Sequence, residues 1–261
     1  MLNKIFLFSF FLIPLSAIAD ENQPALKKPT GFSAGLGIVG SSGLYIGEDT
    51  NLTPIPLLSY EGERFFLRGL YGGMKFYKNE LFTLNGIVSV NMNKLDVDDL
   101  NESKLAEKNL TKMQLEDRDI SADIGLEAIV KAPYGIISVH ALQDIGNASD
   151  AAELKADYQY FWRLNNQWTV IPNVGMEWLS DSRANYYYGT LDREVAQGVA
   201  AYKPNSLIIP YLSLGASYTL NQKIRVTSAV THKFLPDKIV DGPLIDKDSI
   251  TNFFMGITYK F

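Results

Sequence analysis

Two histidines are the side chains in this chain best suited to acid–base work near neutral pH. His140 shares a strand face with Ser138, and His232 lies beside Thr231 in an apolar strand. A hydroxyl nucleophile needs its base within hydrogen-bond reach and a third group to orient that base. Neither setting carries such a signature, and a lipid hydrolase or acyltransferase is therefore the weakest of the functions the sequence allows. The acidic run Asp96, Asp98, Asp99, Glu102 and Glu107 offers oxygen ligands to a divalent cation. It fails as an EF-hand, because Leu100 stands at the fifth position and Asn101 replaces the glycine needed at the sixth. A solvated loop is the reading that remains. The triplets beginning at Asn51, Asn101, Asn109 and Asn147 match a glycosylation acceptor, a short motif with little weight by itself.

A third group of charged residues recurs at every second position. Asp123, Glu127, Glu153, Asp157 and Glu177 stand against Lys155, Arg163, Arg225 and Lys233, all on faces that alternate with apolar ones. From Leu81 to Asn93, Phe82, Leu84, Val88 and Val90 oppose Thr83, Asn85, Ser89 and Asn91. The same period of two returns near residues 120–130, 152–163, 167–179, 207–219, 223–234 and 250–261, which is the mark of strands with one apolar and one polar face. Runs of ten to thirteen residues exceed the five or six usual in soluble domains and suit a tilted crossing of a bilayer. Tight links at 77–80, 131–134, 164–167 and 220–222 alternate with long ones at 94–119, 181–206 and 235–248, the pattern of short periplasmic turns and long outer loops.

The expected fold is all-β: a transmembrane antiparallel up-and-down β-barrel. Strands 31–40 and 53–60 precede residues 64–77, which form either one long strand or two short ones broken at Gly72-Gly73. Single-chain bacterial barrels have even strand numbers, so twelve is expected, with ten as the alternative. Residues 1–19, with Lys4, an apolar run from Ile5 to Leu15 and Ala17-Ile18-Ala19, read as a cleaved signal peptide. Residues 20–30 read as a periplasmic leader and 31–261 as the barrel. Export places the chain in the bacterial outer membrane, among outer-membrane lipid and lipopolysaccharide. A balance of 24 Lys+Arg to 29 Asp+Glu gives no reason to expect nucleic-acid binding, and the absence of Cys excludes disulfides and a lipoprotein anchor.

Aromatic residues gather at strand ends. Tyr160, Trp162, Trp168, Trp178, Tyr218 and Tyr259 are expected to form girdles at the headgroup layers. Tyr259 and the terminal Phe261 are expected to be read by the barrel assembly machinery. The candidate lumen charges are Asp123, Glu127, Glu153, Lys155, Asp157, Arg163, Glu177 and Arg225. Such a lumen either holds water or pairs its charges and closes, and the Tyr186-Tyr187-Tyr188 loop either folds inward or meets a partner.

The stretch from Pro54-Ile55-Pro56 through Glu61-Gly62-Glu63 to Arg68-Gly69 resembles a block of the MltA-interacting protein/OmpV family of Gram-negative outer-membrane proteins. The segments at 118–125 and 235–244 and the ending Tyr259-Lys260-Phe261 are similar to that family too. The resemblance implies an outer-membrane barrel without catalytic residues or cofactors. It also implies a scaffold that joins a murein lytic transglycosylase to a bifunctional penicillin-binding synthase. A narrow porin-like channel for small solutes, or a surface antigen, is the alternative.

Overall fold

A computed structural model describes residues 31–146 and 148–261. The expected signal peptide, the leader and Asn147 lie outside them.

The period-two alternation becomes strands β1 (Gly31–Ser41), β2 (Asn51–Glu61), β3 (Phe65–Arg68), β4 (Tyr71–Lys78), β5 (Phe82–Asn91), β6 (Ser121–Ala132) and β7 (Gly135–Asp144). They are followed by β8 (Ala152–Gln159), β9 (Trp162–Arg163), β10 (Trp168–Leu179), β11 (Leu207–Thr219), β12 (Ile224–Phe234) and β13 (Ser249–Lys260). Each strand pairs antiparallel with its chain neighbours, except that β8 and β9 both pair with β10 and not with each other. β1 also pairs with β13, which closes the sheet on itself. β8 and β9 hold one register against β10, Gln159 opposite Asn173 and Trp162 opposite Val170, so they are one barrel strand interrupted at residues 160–161. The result is a closed antiparallel barrel of twelve strands.

Residues 64–77 therefore do form two strands, but the break expected at Gly72-Gly73 falls instead at Gly69-Leu70. Gly69 has φ of 64°, a left-handed turn conformation that costs glycine little. Gly72 and Gly73 continue as strand, and a side chain at Gly73 would strike the Gly86 carbonyl on β5.

Three of the short periplasmic turns repeat one device. Asn79 Oδ1 accepts from the backbone N–H of Leu81 and Phe82, Asn165 Oδ1 from Gln167 and Trp168, and Asn221 Oδ1 from Lys223 and Ile224. A short side-chain acceptor reaching two and three residues ahead is what favours Asn at such corners.

The outward positions are apolar and bare: Leu36, Ile124, Val174, Met176, Leu214 and Met255 are each about half exposed or more. A belt of this kind around a whole sheet is tolerated where lipid, not water, lies against it. The apolar core lies elsewhere. The largest buried cluster joins the outer loops, bringing Leu44 and Tyr45 against Leu95, Leu105, Tyr187 and Ile239. Those loops carry helices α1 (Glu102–Glu107), α2 (Asp181–Tyr188), α3 (Asp192–Ala196) and α4 (Asp237–Val240), so the outer mouth wears a packed cap.

Candidate functional site in the barrel lumen

The inward residues of β6, β8 and β10 are the charged ones the alternation picks out. Asp123, Glu127, Glu153, Lys155 and Glu177 are all buried. A buried charge is costly unless it is paired and hydrogen-bonded, and the lumen meets that demand in three groups.

Nearest the outer mouth, Arg183 of α2 reaches down from the cap. Its Nη2 donates to Asp123 Oδ1 and its Nη1 to Glu153 Oε2, each at 2.5 Å, and Nη2 lies 3.3 Å from Ser121 Oγ. Below it, Glu177 takes Lys233 at 2.7 Å and Lys155 at 3.3 Å, with Lys155 over the Tyr211 ring. The Tyr211 hydroxyl donates to Asp157, which also accepts from Asn173 Nδ2 at 3.2 Å. Across the lumen, Glu127 accepts from Asn85 at 2.5 Å, with Arg68 at 3.7 Å and His140 Nε2 at 3.8 Å. Arg68 runs on to Glu61, which also holds Lys75. A cavity of about 30 Å³ lies among Lys155, Asp157, Asn173, Glu177, Tyr211 and Lys233, room for about two waters.

Two of the expected lumen charges stand apart. Arg163 is exposed at the periplasmic rim, and Arg225 is half-buried at the periplasmic end of β12, opposite Thr219 and Thr258. Of the aromatic set, Tyr160, Trp162, Trp168, Tyr218 and Tyr259 cluster toward the periplasmic end, with Trp168 and Tyr218 rings 4.8 Å apart and Tyr259 and Phe261 5.0 Å apart. Trp178 lies at the outer end of β10, opposite Leu154 and Ile208. Ser138 and His140 both face inward and are buried, and the carboxylate near His140 belongs to Glu127. Of the acidic run, Asp96 caps its own turn by accepting from Asp98 N–H, and Glu107 pairs with Lys104. Among the described residues no three acidic or histidine side chains converge as a metal site.

Sequence reading missed the residues that tie the cap together. Arg118, at the end of the 92–120 loop, and Glu194 of α3 form a fully buried bidentate pair, 2.9 and 2.8 Å. Arg118 also donates to the carbonyls of Tyr186 and Glu116, and Glu194 also accepts from the N–H groups of Glu116 and Leu191. The sequence signal that was available is modest: Glu194 stands three residues after Leu191, where its carboxylate can turn back on the helix start.

Glu48 organises the 42–50 loop by accepting from the N–H of Leu44 at 2.7 Å and of Tyr45 at 3.0 Å. Burial pushes its carboxyl above the usual range, the two backbone bonds and Lys247 offsetting only part of the rise. A carboxyl raised in this way holds its proton more readily in the folded state. Its contribution is thus fully present below the ordinary carboxylate range and is lost as pH rises through the raised value. Glu48→Gln keeps an acceptor but not the charge. Hydrogen exchange of residues 42–50 is expected to slow in this variant at neutral pH and to match the parent in acid; equal exchange at both would contradict the assignment.

With fold and lumen in place, comparison with known proteins gives one consistent family. The model of the family described as MltA-interacting protein MipA matches residues 34–261. The chain belongs to the MltA-interacting protein MipA family. The resemblance read from Pro54 to Gly69 is borne out. The MltA-interacting protein of Escherichia coli (strain K12) is 29% identical over 232 residues, covering 88% of this chain and 90% of that protein. The putative outer membrane protein YiaT of the same strain is 25% identical over 258 residues, 97% of each. Outer membrane protein OmpV of Vibrio cholerae is 24% identical over 234 residues, 88% of this chain and 86% of that one. Among solved structures, the COG4313 outer membrane channel from Pseudomonas putida F1 aligns over 94% of this chain and all of that one, with 10% identity and a TM-score of 0.46. This family member is an outer-membrane β-barrel of a Gram-negative bacterium.

Proposed function

We propose that the protein is a non-catalytic scaffold of the outer membrane, holding a murein lytic transglycosylase close to a bifunctional penicillin-binding synthase on the periplasmic side. The name of the Escherichia coli relative, an MltA-interacting protein, supports the first of these partners. The observation that carries the reading is the closed outer mouth. A cap with its own apolar core, pinned to the wall by Arg183, leaves the periplasmic rim as the free working surface.

The leader expected at residues 20–30 is the first candidate contact. The Glu61-Gly62-Glu63 turn is narrowed by its own chemistry: Glu61 is engaged by Arg68 and Lys75, and Glu63 is the carboxylate left facing water. The periplasmic aromatics Tyr160, Trp162, Trp168, Tyr218 and Tyr259 belong to the same reading as a headgroup girdle. Tyr259 and Phe261 serve there as the ending read by the assembly machinery.

Crosslinking in intact cells, followed by purification of the barrel, is expected to recover a murein hydrolase and a synthase, and deletion of residues 21–29 is expected to reduce that recovery. Capture of assembly factors alone would overturn the scaffold. A second reading, a narrow channel for small solutes, is favoured by the polar cavity around Glu177, Tyr211 and Asp157. It predicts steady conductance in planar bilayers, altered when Glu127 or Arg163 is neutralised, and a sealed bilayer with folded protein counts against it.

A further inference from the structure

The wall is closed at its periplasmic end, but not all the way up. β3 is only four residues long and pairs with β2 no higher than Ser59 opposite Arg68. One further bond, Gly69 N–H to the Leu58 carbonyl, ends the contact, and on the other flank Val90 N–H to the Leu70 carbonyl ends the contact of β5 with the hairpin. Above that level residues 51–57 of β2 rise roughly 20 Å while β5 ends at Asn91, and among the described residues no backbone hydrogen bond joins 51–57 to β5 or to the residues 92–95 that follow it. A seam is left in the outer half of the wall.

The chemistry of β2 matches such an edge. Because the Leu58 carbonyl points toward β3, the strand period directs Pro56, Pro54 and Leu52 to the same side, away from β1. Proline has no N–H, so two of the three positions facing the seam can donate to nothing. Proline in a sheet is tolerated at an edge, and there it discourages pairing with another strand. An added β-strand is therefore a poor occupant.

The seam is apolar outside and has a small apolar cluster behind it, beside the buried polar residues Thr53, Asn91 and Asn252. Outside it stand Leu52, Leu58, Leu70, Val88 and Val90, all exposed on the lipid-facing wall. Behind it the lumen changes character: instead of paired charges it holds Val39, Phe254 and Met92, with Ile55 and Leu57 packed against them. Gly37 and Gly256 make the room, since a Cβ at either would press on Leu57 and Phe254. Met92, the first residue after β5, is the side chain that β5's end contributes to this cluster.

We propose that this seam is a lateral binding site for an acyl chain of an outer-leaflet lipid, which enters between β2 and the end of β5 and lies against Leu57 and Ile55, with Met92 as its gate. The surface outside the seam is continuous with the wall that lipid already covers, so the occupant is the molecule present there at highest concentration. An acyl chain gains by burying its methylenes against Leu57 and Ile55, a gain that a small aqueous solute does not share.

The test is photocrosslinking in cells from p-benzoylphenylalanine at position 57, with mass spectrometry of the adducts. Position 55 substitutes if that variant does not show the heat-modifiable mobility of a folded barrel. The control is position 229, which faces the lumen on β12 where both neighbours are paired. The site predicts lipid adducts from 57 several-fold above those from 229, raised by Met92→Gly and lowered by Met92→Trp. The adduct mass separates lipopolysaccharide from phospholipid. Yields at 57 no higher than at 229, or yields indifferent to position 92 in folded barrels, would overturn it.

Discussion

Arg183→Ala is expected to release α2 from the lumen and convert a sealed barrel into a conducting one. The guanidinium is fully buried, and it neutralises two carboxylates, Asp123 and Glu153, that are themselves almost inaccessible. Removing one partner of a buried ion pair costs about 3–5 kcal/mol, because the remaining charges stay buried without compensation. The barrel's hydrogen-bonded wall does not depend on this contact, so the cost falls on docking of the cap. At about 1.4 kcal/mol per tenfold, the undocked population rises roughly 100- to 4,000-fold. Single-channel recording should show openings absent from the parent, and limited proteolysis should cut within residues 181–206. The triple variant Arg183→Met, Asp123→Asn, Glu153→Gln removes the charges together, and is expected to recover much of the lost docking. Closed recordings and an unchanged digest from folded Arg183→Ala would mean that the apolar cap core alone holds the mouth shut.

Arg118→Ala is expected to loosen the cap from within. Here the pair joins two loops to each other rather than a loop to the wall, and both side chains are fully buried. Loss of the bidentate partner leaves Glu194 charged and fully buried, held by the N–H groups of Glu116 and Leu191, at a cost again of about 3–5 kcal/mol. Arg118→Lys should recover only part of it, since an ammonium cannot reproduce the two parallel bonds or reach the Tyr186 and Glu116 carbonyls together. Hydrogen exchange at residues 112–118 and 186–196 should rise in Arg118→Ala while the strands stay protected. The double variant with Glu194→Ala should be less damaged than the sum of the single ones. Additive effects would show that the pair is incidental to the cap.

Arg183→Ala and its parent together separate the functional readings. A scaffold that works from the periplasmic rim should keep its partners in Arg183→Ala, because the cap lies on the far side of the membrane from the proposed contact. Opening of the mouth in Arg183→Ala is expected under either reading, so the channel is tested by the conductance of the parent protein with its cap docked. Partner capture from the variant and conductance of the parent thus bear on the two readings independently.

The strands, their inward and outward faces and the closure of the barrel were legible in the sequence because they rest on a period of two. Side chains at alternate positions face opposite sides of a sheet, so Glu153, Lys155 and Asp157 could be placed on one face by counting. The turns were legible for a similar reason, since Asn79, Asn165 and Asn221 act on residues two and three ahead. Counting fails at β3, where a single glycine ends a strand after four residues. Gly72-Gly73 looked the better break, but only at Gly69 does the backbone turn left-handed.

What the sequence could not supply was which charges meet. Arg183 is 60 residues from Asp123, and Arg118 is 76 from Glu194. No local period links positions so far apart, and the pairs exist because strand order brings the loop ends to one mouth. The seam is of the same kind. Pro54 and Pro56 mark an edge in the sequence, but only the register of β2, β3 and β5 shows that no described strand pairs with it. The sequence by itself determined a barrel with a polar interior in the outer membrane, because alternation and strand length are properties of consecutive residues. Only the tertiary structure decided that the outer mouth is capped, that the interior charges are paired, and that one wall is left unbonded, because each is a relation between segments that the chain keeps far apart.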